Sequence, residues 1–296
     1  LRDSTTGSQN VAVGWAALQT NTTAHYNTAV GTGALHLNTT GGSNVALGFK
    51  SLFQNTTANH NIGIGHEALE NTTTGDSNTA VGGVALETNT TGSFNIAMGK
   101  YALNGNTTGC RNTGLGYAAL IYNTTGIYNT AVGACALYNN TTGRNTAIGF
   151  MSMTANTTGT KNTASGIYSL CKNTTGSGNT ASGYMALLKN TTGHSNTSSG
   201  QYSMTDNTTG ILNTAFGSCS LHANTTGEHN TAVGSDALVA NTTGSYNVAV
   251  GLNTLDANTT GGFNTAVGRT ALGASTTGGG NTASGYSAMT SNTTGS

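Results

Sequence analysis

Asparagine repeatedly precedes a short alternation of large and small residues. Examples are Asn-Val-Ala-Val-Gly at 10–14, Asn-Ile-Gly-Ile-Gly at 61–65 and Asn-Thr-Ala-Ile-Gly at 145–149. After two variable residues comes Ala-Leu or a close equivalent, and then the polar tetrapeptide Asn-Thr-Thr-Gly. The anchor Asn falls at 10, 27, 44, 61, 78, 95, 112, 129, 145, 162, 179, 196, 213, 230, 247, 264 and 281. The period is 17 residues, with one 16-residue step from Asn129 to Asn145, and the 17 copies fill nearly all of the 296 residues.

With the anchor as position zero, +4 is Gly in every copy, +8 is Leu or Met, and +2 and +7 are small. Positions +5, +6, +9, +10, +15 and +16 vary freely, carrying Trp15, Lys100, Tyr117 and Phe263 among others. Helical-hairpin repeats need about 33 residues, so this unit is too short for one. It fits one coil of a parallel β-solenoid, with two short strands and two turns. Thr, Val or Ile at +1 and +3 favour an extended strand, and the small +2 residue completes its alternation. Gly at +4 is expected where φ is positive or backbones approach closely. Coils spaced by about 4.8 Å would make a rod on the order of 80 Å long.

The +8 row never turns polar and is the expected core. The +3 row is mostly apolar but becomes Ser165, Ser182, Ser199 and Ser284. Stacked hydroxyls suit a wet face or a seam between chains better than a core. A thin coil is hard to stabilise alone, so association around the +1/+3 face is expected.

Composition narrows the classes. The chain has 6% charged residues, zero formal net charge, 44 Gly and no Pro. Globular domains carry about 25% charged residues. Zero net charge argues against nucleic acid or an anionic membrane as the main partner. No run of about 18 apolar residues predicts a membrane span. Cys110, Cys135, Cys171 and Cys219 show neither disulfide nor metal-ligand spacing. The repeat runs through both ends, which reads as 1–296 being one continuous solenoid domain and a piece of a longer fibre.

The segments Asn10–Gly14, Asn61–Gly65, Asn95–Gly99 and Asn145–Gly149, each followed by x-x-Ala-Leu or similar, resemble the YadA-like head repeat. That repeat builds the heads of trimeric autotransporter adhesins and occurs in tail-fibre-like proteins. The resemblance covers essentially all 17 units. It implies a left-handed parallel β-roll, three chains wide, with an adhesive role. This chain departs from the family in its longer, 17-residue unit, the addition being the Asn-Thr-Thr-Gly corner. No coiled-coil stalk or anchor barrel is visible, and a single-chain roll or a helical filament is the alternative.

The corner has three readings. As a turn, Asn suits its first position and Gly its fourth, and stacked Asn side chains would form a ladder. As a glycan acceptor, Asn-x-Ser/Thr occurs at a presumed outward corner in Asn21, Asn38, Asn55, Asn71, Asn89, Asn106, Asn123, Asn140, Asn156, Asn173, Asn190, Asn207, Asn224, Asn241, Asn258 and Asn292. Asn139 and Asn196 add two sequons in other registers. Covalent glycans would also lend solubility to a chain so poor in charge. As an ice-binding face, the Thr pair is weak, because successive residues point to opposite sides. Thr at the third residue of the tetrapeptide is not required by the turn.

No nucleophile, base and orienter cluster in the sequence, so no catalytic residue, cofactor or metal site is predicted. The His residues (His25, His36, His60, His66, His194, His222 and His229) and the acidic residues are scattered through variable rows. The aromatics Tyr26, Phe94, Tyr128, Tyr246 and Phe263 could stack on sugars or a receptor. The expectation is a non-enzymatic extracellular or cell-surface fibre, self-associating as a homotrimer or filament. The alternative is a ligand-binding array for ice or carbohydrate.

Overall fold

A computed structural model describes residues 4–295. The fold is all-β: 17 parallel strands of three residues, one per repeat. The chain divides into two compact units, Leu1–Asn145 and Thr146–Ser296. The first holds eight strands, from β1 (Val11–Val13) and β2 (Thr28–Val30) to β8 (Thr130–Val132). The second holds nine, from β9 (Thr146–Ile148) and β10 (Thr163–Ser165) to β17 (Thr282–Ser284).

Within each unit every strand pairs in parallel with the next, offset by one repeat. Val11, Ala12 and Val13 face Thr28, Ala29 and Val30, and Thr163, Ala164 and Ser165 face Thr180, Ala181 and Ser182. Residues at one repeat position therefore stack in a row. Inter-coil bonding continues beyond the strands. Leu18 N–H donates to Ala34 O (3.0 Å), Thr22 N–H to Thr39 O (3.1 Å) and Gly33 N–H to Trp15 O (2.9 Å). The expected solenoid is the observed architecture.

The expected second strand does not form. Positions +6, +8 and +16 are left-handed, as at Glu67 (φ 55°), Leu69 (φ 57°) and Ser77 (φ 58°). Two left-handed residues separated by one curl the limb around the leucine instead of extending it. Each costs on the order of 1–2 kcal/mol in an isolated chain. The bonds to both neighbouring coils hold it there.

Gly at +4 is doubly required. Gly200 has φ 140°, and a Cβ on it would collide with the Gly217 carbonyl of the next coil. The leucine row is fully buried from Leu18 to Leu272, with Met153 and Met204 in line; Met289 in the last repeat is exposed. Small residues at +2 and +7, mostly Ala but including Ser198, Ser203 and Thr254, and two rows of Asn fill the rest of the interior.

Candidate functional site

The corner is built from two Asn ladders. Asn38 Nδ2 donates to Asn21 Oδ1 in the preceding coil (3.1 Å) and to Gly41 O in its own (2.9 Å). The anchor Asn27 donates its Nδ2 to the same Gly41 carbonyl (2.9 Å), so one oxygen ties both ladders together. Asn27 N–H is held by Asn10 Oδ1 (2.9 Å). The Asn side chain thus closes the bend across three residues, while Gly92 N–H reaches out to Thr107 O of the next coil (3.3 Å). Gly follows because a Cβ on Gly92 would meet Asn89 Oδ1 and Gly109 O. Ala24 and Ala58 show that the row admits one extra carbon. In the 16-residue repeat the corner loses a residue, and Thr142 O takes the glycine's place, accepting from Asn129 and Asn140 Nδ2 (2.7 and 2.6 Å).

This geometry corrects the presumed outward direction of the Asn row. Asn21, Asn38, Asn55, Asn89, Asn106, Asn123, Asn140, Asn156, Asn173, Asn190, Asn207, Asn224, Asn241 and Asn258 are all 0% exposed. Their amides point into the coil because only there can each meet the amide above and the Gly carbonyl beside it. A sugar on such an Nδ2 would break the ladder. Asn71 and Asn292 are half-exposed and Asn139 is exposed. Asn71 lies one position before the ladder, where Thr72 stands instead.

The two corner Thr rows differ. At +12 the hydroxyl is committed: Thr22 Oγ1 donates to Thr39 O (3.0 Å), and Thr191 Oγ1 to Thr208 O (3.1 Å). At +13 the side chain is exposed from Thr23 to Thr294, with only Thr142 half-buried. Apart from Thr142, no +13 hydroxyl among the described residues bonds to protein.

The strands present +1 and +3 outward and +2 inward. Val13, Leu47, Met98, Ile148 and Phe216 therefore lie exposed on one face of their units. Ser165, Ser182, Ser199 and Ser284 share that outward direction, which is why hydroxyls are tolerated there.

The variable rows stack their side chains at coil spacing. His229, Tyr246 and Phe263 form a near-parallel ring stack with centroids 4.8 and 4.9 Å apart, and Phe263 is 69% exposed. Arg111 lies over both Phe94 and Tyr128 (5.4 and 5.5 Å). Tyr26 packs tilted against His25. The acidic residues are less scattered than the sequence suggested. Glu67, Glu70 and Glu87 bring carboxylate oxygens within 4.8 Å of one another. The 17-residue offset of Glu70 and Glu87 carried that signal. Lys50 Nζ, 3.2 Å from Glu70, and Asn104 Nδ2, 2.8 Å from Glu87, occupy the cluster, which reads as an ion network.

Cys110, Cys171 and Cys219 are free thiols. Burial pushes the Cys171 thiol up from its ordinary range, against the opposing charge of Lys172. Among the described residues no helix is long and apolar enough to cross a membrane. No family model, curated protein or solved structure matches the chain.

Proposed function

We propose that this chain is a non-enzymatic part of an extracellular or cell-surface fibre, structural or adhesive, whose copies associate through the strand face as a homotrimer or filament. One observation carries the reading: an outward strand face whose +3 row is mostly apolar, with Val13, Leu47, Met98, Ile148 and Phe216 exposed, flanked at +1 by Thr, Val or Ile. Contiguous exposed apolar surface of this kind marks interaction sites. The resemblance of the repeat to adhesin heads supports the same association. The variable rows then supply what is displayed, on a scaffold kept constant by the ladders. Asn71, Asn139 and Asn292 are the sequon positions that reach solvent for N-linked sugar. Cryo-EM of the native material tests the reading by counting chains. Two or more chains in contact through +1/+3 support it, and isolated single chains overturn it.

A ligand-binding array is the second reading. It is favoured by six consecutive outward Thr in the +1 row, from Thr146 to Thr231, and by the exposed ring stack ending at Phe263. An ordered row of hydroxyls and methyls suits ice, and exposed rings suit sugar. Absence of both thermal hysteresis and ice-recrystallisation inhibition eliminates the ice form.

A further inference from the structure

We infer that the +13 threonine row is an acceptor for O-linked sugar, making Thr Oγ1 the glycan attachment atom of the corner. The argument begins with two adjacent threonines placed differently. The +12 hydroxyl is consumed by the inter-coil ladder, as at Thr174, whose Oγ1 donates to Thr191 O (3.1 Å). Thr at +12 therefore has a structural reason. Its neighbour Thr175 is exposed, and its hydroxyl bonds to nothing among the described residues.

Six other positions of each repeat have drifted freely, yet +13 is Thr in all 17 copies. An exposed position that packing leaves free would drift with them. Repetition by duplication alone would have preserved the variable rows equally well. What distinguishes +13 is a secondary hydroxyl, exposed in every copy but Thr142, beside a Gly or, after Thr23 and Thr57, an Ala, on a bend accessible in the folded state. The Asn of the same tetrapeptide is the opposite case, with its nitrogen buried and its hydrogen bonds made.

The chemistry needs one co-reactant, a sugar activated as a glycosyl phosphate or nucleoside-diphosphate sugar, delivered by a glycosyltransferase. Thr Oγ1 attacks the anomeric carbon and forms the new C–O bond. The bond from that carbon to the phosphate oxygen breaks, and the phosphate leaves with the electron pair. The hydroxyl proton passes to a base of the transferase, and nothing is oxidised or reduced. Because the hydroxyl stays exposed, the step can follow folding.

Coil spacing limits occupancy. The flat rings of His229, Tyr246 and Phe263 already stack at 4.8–4.9 Å, so one ring per coil fits only face to face. Thicker sugar rings are expected to leave some coils unmodified.

The test is mass spectrometry of the protein from its natural source. The expected intact mass exceeds the sequence mass by whole sugar residues, in a distribution. Alkaline β-elimination, which releases sugar from Thr Oγ1 and not from Asn Nδ2, is expected to remove the excess. Fragmentation that preserves the linkage is expected to place it on +13. An unmodified mass, sugar released only by an amide-cleaving glycosidase, or Thr modification confined to other rows would each overturn the inference. Chain count does not enter this readout, so it stands or falls apart from the fibre reading.

Discussion

Asn258 and Ser275 occupy the same ladder position in successive coils, and the ladder stops between them: Asn258 Oδ1 and Ser275 Oγ are both buried and both lack a hydrogen-bond partner. The serine is too short to reach the amide. A second break lies at Thr72, which leaves Asn55 Oδ1 unpaired. Ser275→Asn restores the donor to Asn258. Since an unsatisfied buried polar group costs about 1–3 kcal/mol, the variant is expected to be more stable by about 1–2 kcal/mol. Stronger amide hydrogen-exchange protection in the coils around Asn258 checks this, and unchanged or weaker protection contradicts it.

An intact rung behaves oppositely. Asn190 donates to Asn173 Oδ1 (2.8 Å) and Gly193 O (2.9 Å) and accepts from Asn207 (2.8 Å). Asn190→Ala is expected to destabilise by about 2–5 kcal/mol, because it leaves buried partners unpaired. Thr192→Val, two residues away on the exposed row, is expected to stay within about 0.5 kcal/mol. Local amide hydrogen exchange is the suitable measurement, since repeat arrays do not unfold as one unit.

Two glycine rows are expected to respond differently. Gly200→Ala combines a φ of 140° with a collision against Gly217 O. A loss of at least about 3 kcal/mol, or failure to fold, is expected. Gly178 (φ 70°) shares its row with Ser43, Ser77 and Ser195, all carried at similar φ. Gly178→Ser is expected to change stability by less than about 1 kcal/mol. Local amide hydrogen exchange of the two variants compares them directly.

Cys171 is expected to resist alkylation at neutral pH, while half-exposed Cys110 and Cys219 react. Desolvation raises the folded pKa of Cys171 above its ordinary 9.0. The folded state then holds the proton more tightly than the unfolded one, so this group's contribution to stability is retained below pH 9.0 and lost as pH rises beyond it. Mass-resolved labelling between neutral and alkaline pH reads the order of reaction. Equal rates for Cys171 and Cys110 would contradict the burial.

Association through the strand face is expected to be sensitive to charge. Phe216→Lys places an ammonium on the outward +3 row without touching the interior. Retained strand content by circular dichroism with a loss of oligomer in sedimentation is the expected pair of results. An oligomer that survives Phe216→Lys together with Val233→Lys would exclude this face.

Much of the scaffold was legible in the sequence. Periodicity alone identified the coil, the buried leucine row from Leu18 to Leu272, the outward +3 serines and the glycines at +4, because side chains that stack at one repeat position share one environment. The stacked Asn ladder was legible too, as one of the readings of the corner. The direction of that ladder was not. Nor were the missing second strand, the breaks at Thr72 and Ser275, or which threonine of a pair such as Thr191 and Thr192 stands exposed. Those depend on left-handed residues and on bonds between coils 16 to 18 residues apart. Row constancy shows that a position is constrained. Only the folded coil assigns the constraint, turning Asn190 inward to its neighbours and Thr192 outward to solvent.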